Sequence, residues 1–133
     1  MPEPRDVVAR LIETVNAHDP ASGRDLFADS PRLVAASGRV IDLDGLGQVL
    51  QTTVAAFPDF QLRVERWIVD GDTVVTEDVL EGTHKGTFAG IAPTGRRVSL
   101  PMMHLYRVAN GRITERVAYH DTAGILRQLS DPD

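Results

Sequence analysis

The chain has 133 residues, the length of a single domain over residues 1–133, and its 42% hydrophobic and 25% charged content is that of an ordinary soluble globular protein. It has no cysteine, which excludes a disulfide scaffold, thiolate metal sites and a thiol nucleophile. The net charge of −5 with no basic stripe argues against nucleic acid and membrane surfaces, and with no apolar run near the ~20 residues of a membrane span and no signal pattern in Met1 to Asp6, a cytoplasmic location is the expectation.

Along the chain, Val7, Val8, Leu11, Ile12 and Val15 recur on one helical face, and Pro4 suits a first turn. Asp19-Pro20 reads as a cap followed by a first-turn proline of a short helix through Leu26-Phe27. Short strands are expected at 33–35 and 39–41. Asp44 is placed to cap a third helix with an apolar face of Leu46, Val49, Leu50, Val54 and Phe57, ended by Pro58. A strand follows in which Leu62, Val64 and Ile68 alternate with polar partners, and Asp70-Gly71-Asp72 is a tight turn. Thr73 to Thr83 is a long β-rich run and Gly86 to Gly95 a loop. Val98 to Val108 and Ile113 to Tyr119 form a hairpin about Asn110-Gly111, and residues 122–129 a closing helix. Helices first, then four long antiparallel strands, define an α+β fold with helices on one face of a curved sheet, enclosing an apolar pocket.

The run with the most chemical content is 82–121. Val98, Leu100, Met102, Tyr106 and Val108 alternate as the buried face of one strand, and His104 sits in their row. A buried imidazole is either bonded or useful. The stretch Gly82-Thr83-His84-Lys85-Gly86 through Arg97, with His104 to Val108, Asn110 to Ile113 and Leu126 to Leu129, resembles the SnoaL-like polyketide cyclases, within the nuclear transport factor 2-like superfamily. The resemblance implies a cone-shaped α+β barrel, often a homodimer, that uses no metal or organic cofactor. It also implies an intramolecular aldol cyclisation of a hydrophobic, carbonyl-bearing small molecule, in which a pocket Asp takes a proton and a His assists at oxygen. A desolvated carboxylate is a stronger base, and an imidazole can stabilise the developing oxyanion. The family His falls on His104. The family Asp falls on Ala118, and a pocket Asn expected near Leu33 is lacking.

Candidates for the absent acid lie at the end of the last strand. A tight hairpin turn would turn Ile113, Val117, Tyr119 and Asp121 inward and set His104 opposite Val117, with Asp121 then on the order of 13 Å along the strand from His104. A bulge would instead turn Ala118 and His120 inward. Asp121 is either a base or an N-cap of the closing helix, and His120 replaces it as base if the bulge exists. His84 lies at a strand–loop junction, at the pocket rim or solvated, and His18 on the surface near a helix end. Trp67, Phe88, Met102, Tyr106 and Tyr119 line pocket or core. The spacing of His84, His104, His120 and Asp121 does not support a metal site. Two other readings stand beside the cyclase or isomerase: a binding module that kept the cone without catalysis, and a related hydroxylase or epoxide hydrolase. Ala118 favours the binder and counts against both enzymes, since the epoxide hydrolases of the superfamily also carry an Asp there.

Overall fold

The computed structural model describes residues 2–130. Helix α1 (Pro4–Asn16) starts on its proline and buries Val7, Val8, Leu11 and Ile12. The short α2 (Pro20–Gly23) is capped by Asp19, whose carboxylate accepts from the Ser22 amide at 3.3 Å. A 3-10 turn leads into β1 (Phe27–Val34), a longer strand than expected, and the two-residue β2 (Val40–Ile41). The cap of α3 (Leu43–Ala56) is Asp42, which accepts from the Gly45 amide at 2.8 Å. Asp44, expected there, instead holds Arg24 at 2.8 Å.

The sheet continues with β3 (Gln61–Asp70), β4 (Thr73–Thr83), β5 (Arg97–Ala109) and β6 (Arg112–His120), and α4 (Thr122–Ser130) follows. Six strands run in the order β2-β1-β6-β5-β4-β3, with β1 parallel to β6 and every other pair antiparallel. β2 and β3 are edges, so the cone is an open mixed sheet with helices on its inner face. Alternation drives this: Val74, Leu80, Val98, Leu100, Met102, Tyr106 and Val108 all point inward and join α1 in one core.

Two irregularities set which side chains face in. A shift between Val64 and Arg66 turns Trp67 inward and sends Ile68, expected inside, to the surface. The second lies in the β5–β6 hairpin. Asn110 and Gly111 turn it with φ of 54° and 75°, as a two-residue turn with both centres left-handed requires. Val108 pairs with Ile113, yet Arg107 pairs with Glu115, so Thr114 is an extra residue. Beyond it the face swaps: Arg116, Ala118 and His120 turn inward, and Tyr119 is left 63% exposed. The loop before β5 closes against α3, where the Lys85 and Gly86 amides both donate to the Ala56 carbonyl. A Cβ at Gly86 would fall 2.0 Å from the Ala55 carbonyl oxygen, so only glycine fits there.

Candidate functional site

Between the helices and the inner face of the sheet lies a cavity of about 640 Å³, the size of a small-molecule site. Its wall is mostly apolar, with Leu46 and Leu50 from α3 facing Leu80, Met102 and Tyr106 from the sheet. Polar groups enter from β5 and β6: His104, His120 and Arg116.

His104 is 1% exposed, and its Nδ1 lies 2.5 Å from Asp78 Oδ2. Asp78 stands on β4 in the inward row Val74, Thr76, Asp78, Leu80, one step diagonal from His104, whose register partner is Thr76. The carboxylate does not line the cavity; the imidazole stands between them. A carboxylate accepts, so Nδ1 donates, and the neutral ring keeps its lone pair on Nε2. Burial, and then the charge of Arg116, hold the His104 pKa below its ordinary value against the pull of Asp78. The His120 ring meets His104 edge-on at 5.6 Å between centroids. Burial, the neighbouring His104 and then Arg116 push His120 down to about 4, so it too is neutral at pH 7. Burial raises the Tyr106 pKa, and the charge of Arg116, its register partner across the strands, works against that rise.

Four buried polar atoms here have no hydrogen-bond partner: Thr76 Oγ1, Asp78 Oδ1, His104 Nε2 and His120 Nε2. Each such atom costs about 1–3 kcal/mol. Their concentration beside one cavity marks it as the candidate site.

The structure brings His104, His120, Met102 and Tyr106 together at the cavity and places the other expected residues elsewhere. Asp121 is exposed at the start of α4, where its Oδ1 accepts from the Gly124 amide at 2.9 Å: it is a helix cap, because the Thr114 bulge ends the inward row at His120. Tyr119 lies on the outer face. Trp67 is inward but sits under the Arg5 guanidinium, 4.5 Å above the ring, and away from the cavity. His84 is neither at the cavity wall nor solvated. It is fully buried, contacts Thr94 Oγ1 at 3.0 Å, accepts from the Thr94 amide, and so pins the loop. Phe88 packs on Phe57 in the same loop. Among the described residues, no group of three His, Asp or Glu side chains is arranged to hold a metal ion. Asp78 and Arg116 join the site without having been expected there. Asp78 could have been found by extending the inward row Val74 to Leu80, and Arg116 only by knowing the bulge.

The chain belongs to the SnoaL-like polyketide cyclase family, whose pattern it matches over residues 5–129. It is similar to the nogalonic acid methyl ester cyclase of Streptomyces nogalater, at 44% identity over 41% of this chain and 40% of that protein. It is also similar to the aklanonic acid methyl ester cyclase of Streptomyces peucetius, at 36% identity over 47% of this chain and 43% of that protein. The matched stretch thus spans about four-tenths of those relatives. The structure of IdmH, a candidate polyketide cyclase of Streptomyces antibioticus, superposes with a TM-score of 0.87 at 34% identity, covering 96% of this chain and 99% of that one. AclR, a candidate hydroxylase of Streptomyces galilaeus, superposes with a TM-score of 0.88 at 22% identity, covering 98% of this chain and 87% of that one; at that identity the likeness is one of fold. No helix among the described residues is long and apolar enough to cross a membrane.

Two outcomes follow from this geometry. Asp121→Ala should lower unfolding stability by about 1 kcal/mol through the lost cap, and Asp121→Asn should keep most of it, with ligand-dependent stabilisation unchanged in both; urea melts with and without ligand check this, and lost ligand response would place Asp121 in the site instead. His120, with its native pKa depressed below the unfolded value, contributes full stability above pH ~6.5 and loses it as the pH falls towards 4. Between pH 7 and 4.5 the wild type should therefore lose ~1–2 kcal/mol more than His120→Gln, a figure already reduced for the ring's partial exposure; equal losses in denaturant titrations at the two pH values would contradict the assignment.

Proposed function

We propose that this protein catalyses ring closure of a hydrophobic polyketide by an intramolecular aldol reaction, with His104 as the base and Asp78 as the residue that positions it. The observation that carries the reading is the buried Asp78–His104 contact, which leaves an unpartnered Nε2 in the cavity wall. His104 Nε2 takes a proton from a carbon flanked by two carbonyls. The carbanion attacks a carbonyl carbon of the same molecule, a carbon–carbon bond forms, and the imidazolium returns the proton to the new alkoxide. Atoms and charge balance within one substrate. Asp78 fixes the tautomer and supports the transient imidazolium, as a buried carboxylate does behind a catalytic histidine. The neutral His120 ring lies edge-on to His104 and is suited to hydrogen-bond a carbonyl oxygen. Nε2 of His104 is shielded from water, so substrate reaches it by displacing neighbouring side chains as it seats. The cyclase relatives and the cavity volume support this substrate class.

One observation favours a second reading, a non-catalytic binder: Ala118, directly opposite His104, stands where the family acid is expected. Turnover decides. With nogalonic or aklanonic acid methyl ester as trial substrates, His104→Gln and Asp78→Asn should each lower kcat by about 10²–10⁴-fold while the variants stay folded and bind substrate, at a lower melting temperature because each weakens a buried contact. A wild-type rate that survives His104→Gln removes His104 as the base, and a wild type that binds both esters without turnover favours the binder.

The outer sheet face supports a homodimer. Ile68, Val75, Leu105, Val117 and Val34 pair in register as one apolar ladder across five strands, flanked by Met103 and Tyr119, 41% and 63% exposed. An uncovered apolar ladder of this extent marks an association surface. Met103→Glu with Tyr119→Glu should convert a dimer to a monomer in light scattering; a wild type that is monomeric at tens of micromolar would contradict it.

A further inference from the structure

Arg116 is the unbalanced charge of the cavity. The Thr114 bulge turns it inward, between Leu33 of β1 and Tyr106 of β5. Five other arginines among the described residues sit against carboxylates: Arg24 with Asp44, Arg32 with Glu115, Arg63 with Glu65 and Glu81, Arg97 with Asp59 and Glu81, and Arg107 with Glu115. No ion pair found among the described residues includes Arg116, and the side chain opposite it on β5 is the uncharged Tyr106. Two arginines line the cavity. Arg24 is exposed and already paired with Asp44, the one carboxylate in the wall among the described residues. Asp78 is screened behind His104. A half-buried guanidinium in an apolar wall with no counter-charge is costly to leave so. It is well suited to a planar anion with two oxygens. The charge already acts on the site, lowering the pKa of both His104 and His120.

We infer that Arg116 is the anion anchor of the cavity and that its ligand carries a delocalised oxyanion, a carboxylate or the enolate of a 1,3-dicarbonyl, on the oxygen atoms that face β6. This rests on reading the cavity as the ligand site, but not on catalysis. An enolate bound there would be the conjugate base of the carbon acid that His104 deprotonates, so one residue both selects acidic substrates and stabilises their ionised form. A neutral, non-enolisable ketone or ester of the same shape is selected against.

The test uses three probes on the whole protein by calorimetric titration: 2-naphthoic acid, methyl 2-naphthoate, and 1-(2-naphthyl)butane-1,3-dione. If the anion is a carboxylate, the acid binds wild type about tenfold or more tighter than the ester at pH 7. If it is an enolate, affinity for the diketone rises about tenfold between pH 7 and 9.5, while that for the ester stays flat. In either case Arg116→Gln abolishes the selectivity and Arg116→Lys restores part of it; the lysine variant, with melting temperatures of both, separates lost charge from lost fold. Wild type that prefers the ester, shows neither selectivity, or binds none of the three at 1 mM overturns the inference, as does selectivity that persists in Arg116→Gln. Anion selectivity retained in His104→Gln keeps the inference standing even if that variant still turns over and the proposed base fails.

Discussion

A carboxylate fully withdrawn from water is the constraint on which this site depends. Asp78 has a side chain with no exposure, and ionised it would be intolerable there without a donor. His104 Nδ1–H supplies that donor, and the contact fixes both partners: the ring cannot flip without leaving the charge bare. The energy of the bond matters less than its asymmetry, because removing either partner strands the other. The consequence is an imidazole of defined tautomer with its other nitrogen turned from the carboxylate, in a wall whose low polarity resists protonation. An acid–base group is useful near neutral pH when it is uncharged, oriented and dry; the contact orients the ring, and burial keeps it dry and disfavours its charge against the pull of Asp78.

The second constraint is one residue long. Thr114 has no partner in the β5–β6 ladder, and every side chain after it changes face. Without that extra residue, Val117, Tyr119 and Asp121 would point to the helices, and the cavity would lose Arg116 and His120. The bulge therefore assembles the β6 side of the site, while the unbroken β4–β5 register assembles the Asp78 side. His104 stands between two neighbouring strands: Ala118 opposite it on β6, Thr76 opposite it on β4. The family acid would come from the β6 side at Ala118. Here the nearest carboxylate comes from β4, two residues along from Thr76, and it meets the imidazole from behind rather than facing the cavity beside it. The order here is acid, then ring, then cavity.

Much of the architecture was legible because it follows from alternation and punctuation. The apolar row from Val98 to Val108, the left-handed pair Asn110-Gly111 and the Pro4 and Pro20 helix starts each have one physical reading, and each is realised. Asp42 and Asp44 both offer a carboxylate near the start of α3, and only the three-dimensional position of Arg24 decides which one caps. The β3 shift that exposes Ile68 and the β6 bulge leave no mark in composition, since a single inserted residue costs little and changes no residue type. The inward position of His104, on an unbroken strand, is therefore legible from its row alone, while the inward side of β6, Asp121 or His120, depends on the bulge. Asp78 does not stand out because one of three acids in a β-rich run, beside Glu77 and Glu81, reads as a solvent-facing residue until its phase is counted against Val74 and Leu80. The burial of His84 has a different origin: a loop folds back on it through Thr94, a contact with no periodic signature.

The central claim is that Asp78 holds His104 as a neutral, Nδ1-protonated imidazole with its Nε2 lone pair free in the cavity wall. Nitrogen-15 spectra of the histidine side chains, followed from pH 8 to 5 and assigned by comparison with His104→Gln, report this directly. The expected signal is a protonated Nδ1 with a strongly deshielded proton, an unprotonated Nε2, and no titration near pH 6.5; loss of that signal in Asp78→Asn would tie it to the carboxylate. A His104 ring that is Nε2-protonated, exchanges between tautomers, or titrates like a free histidine would contradict the account.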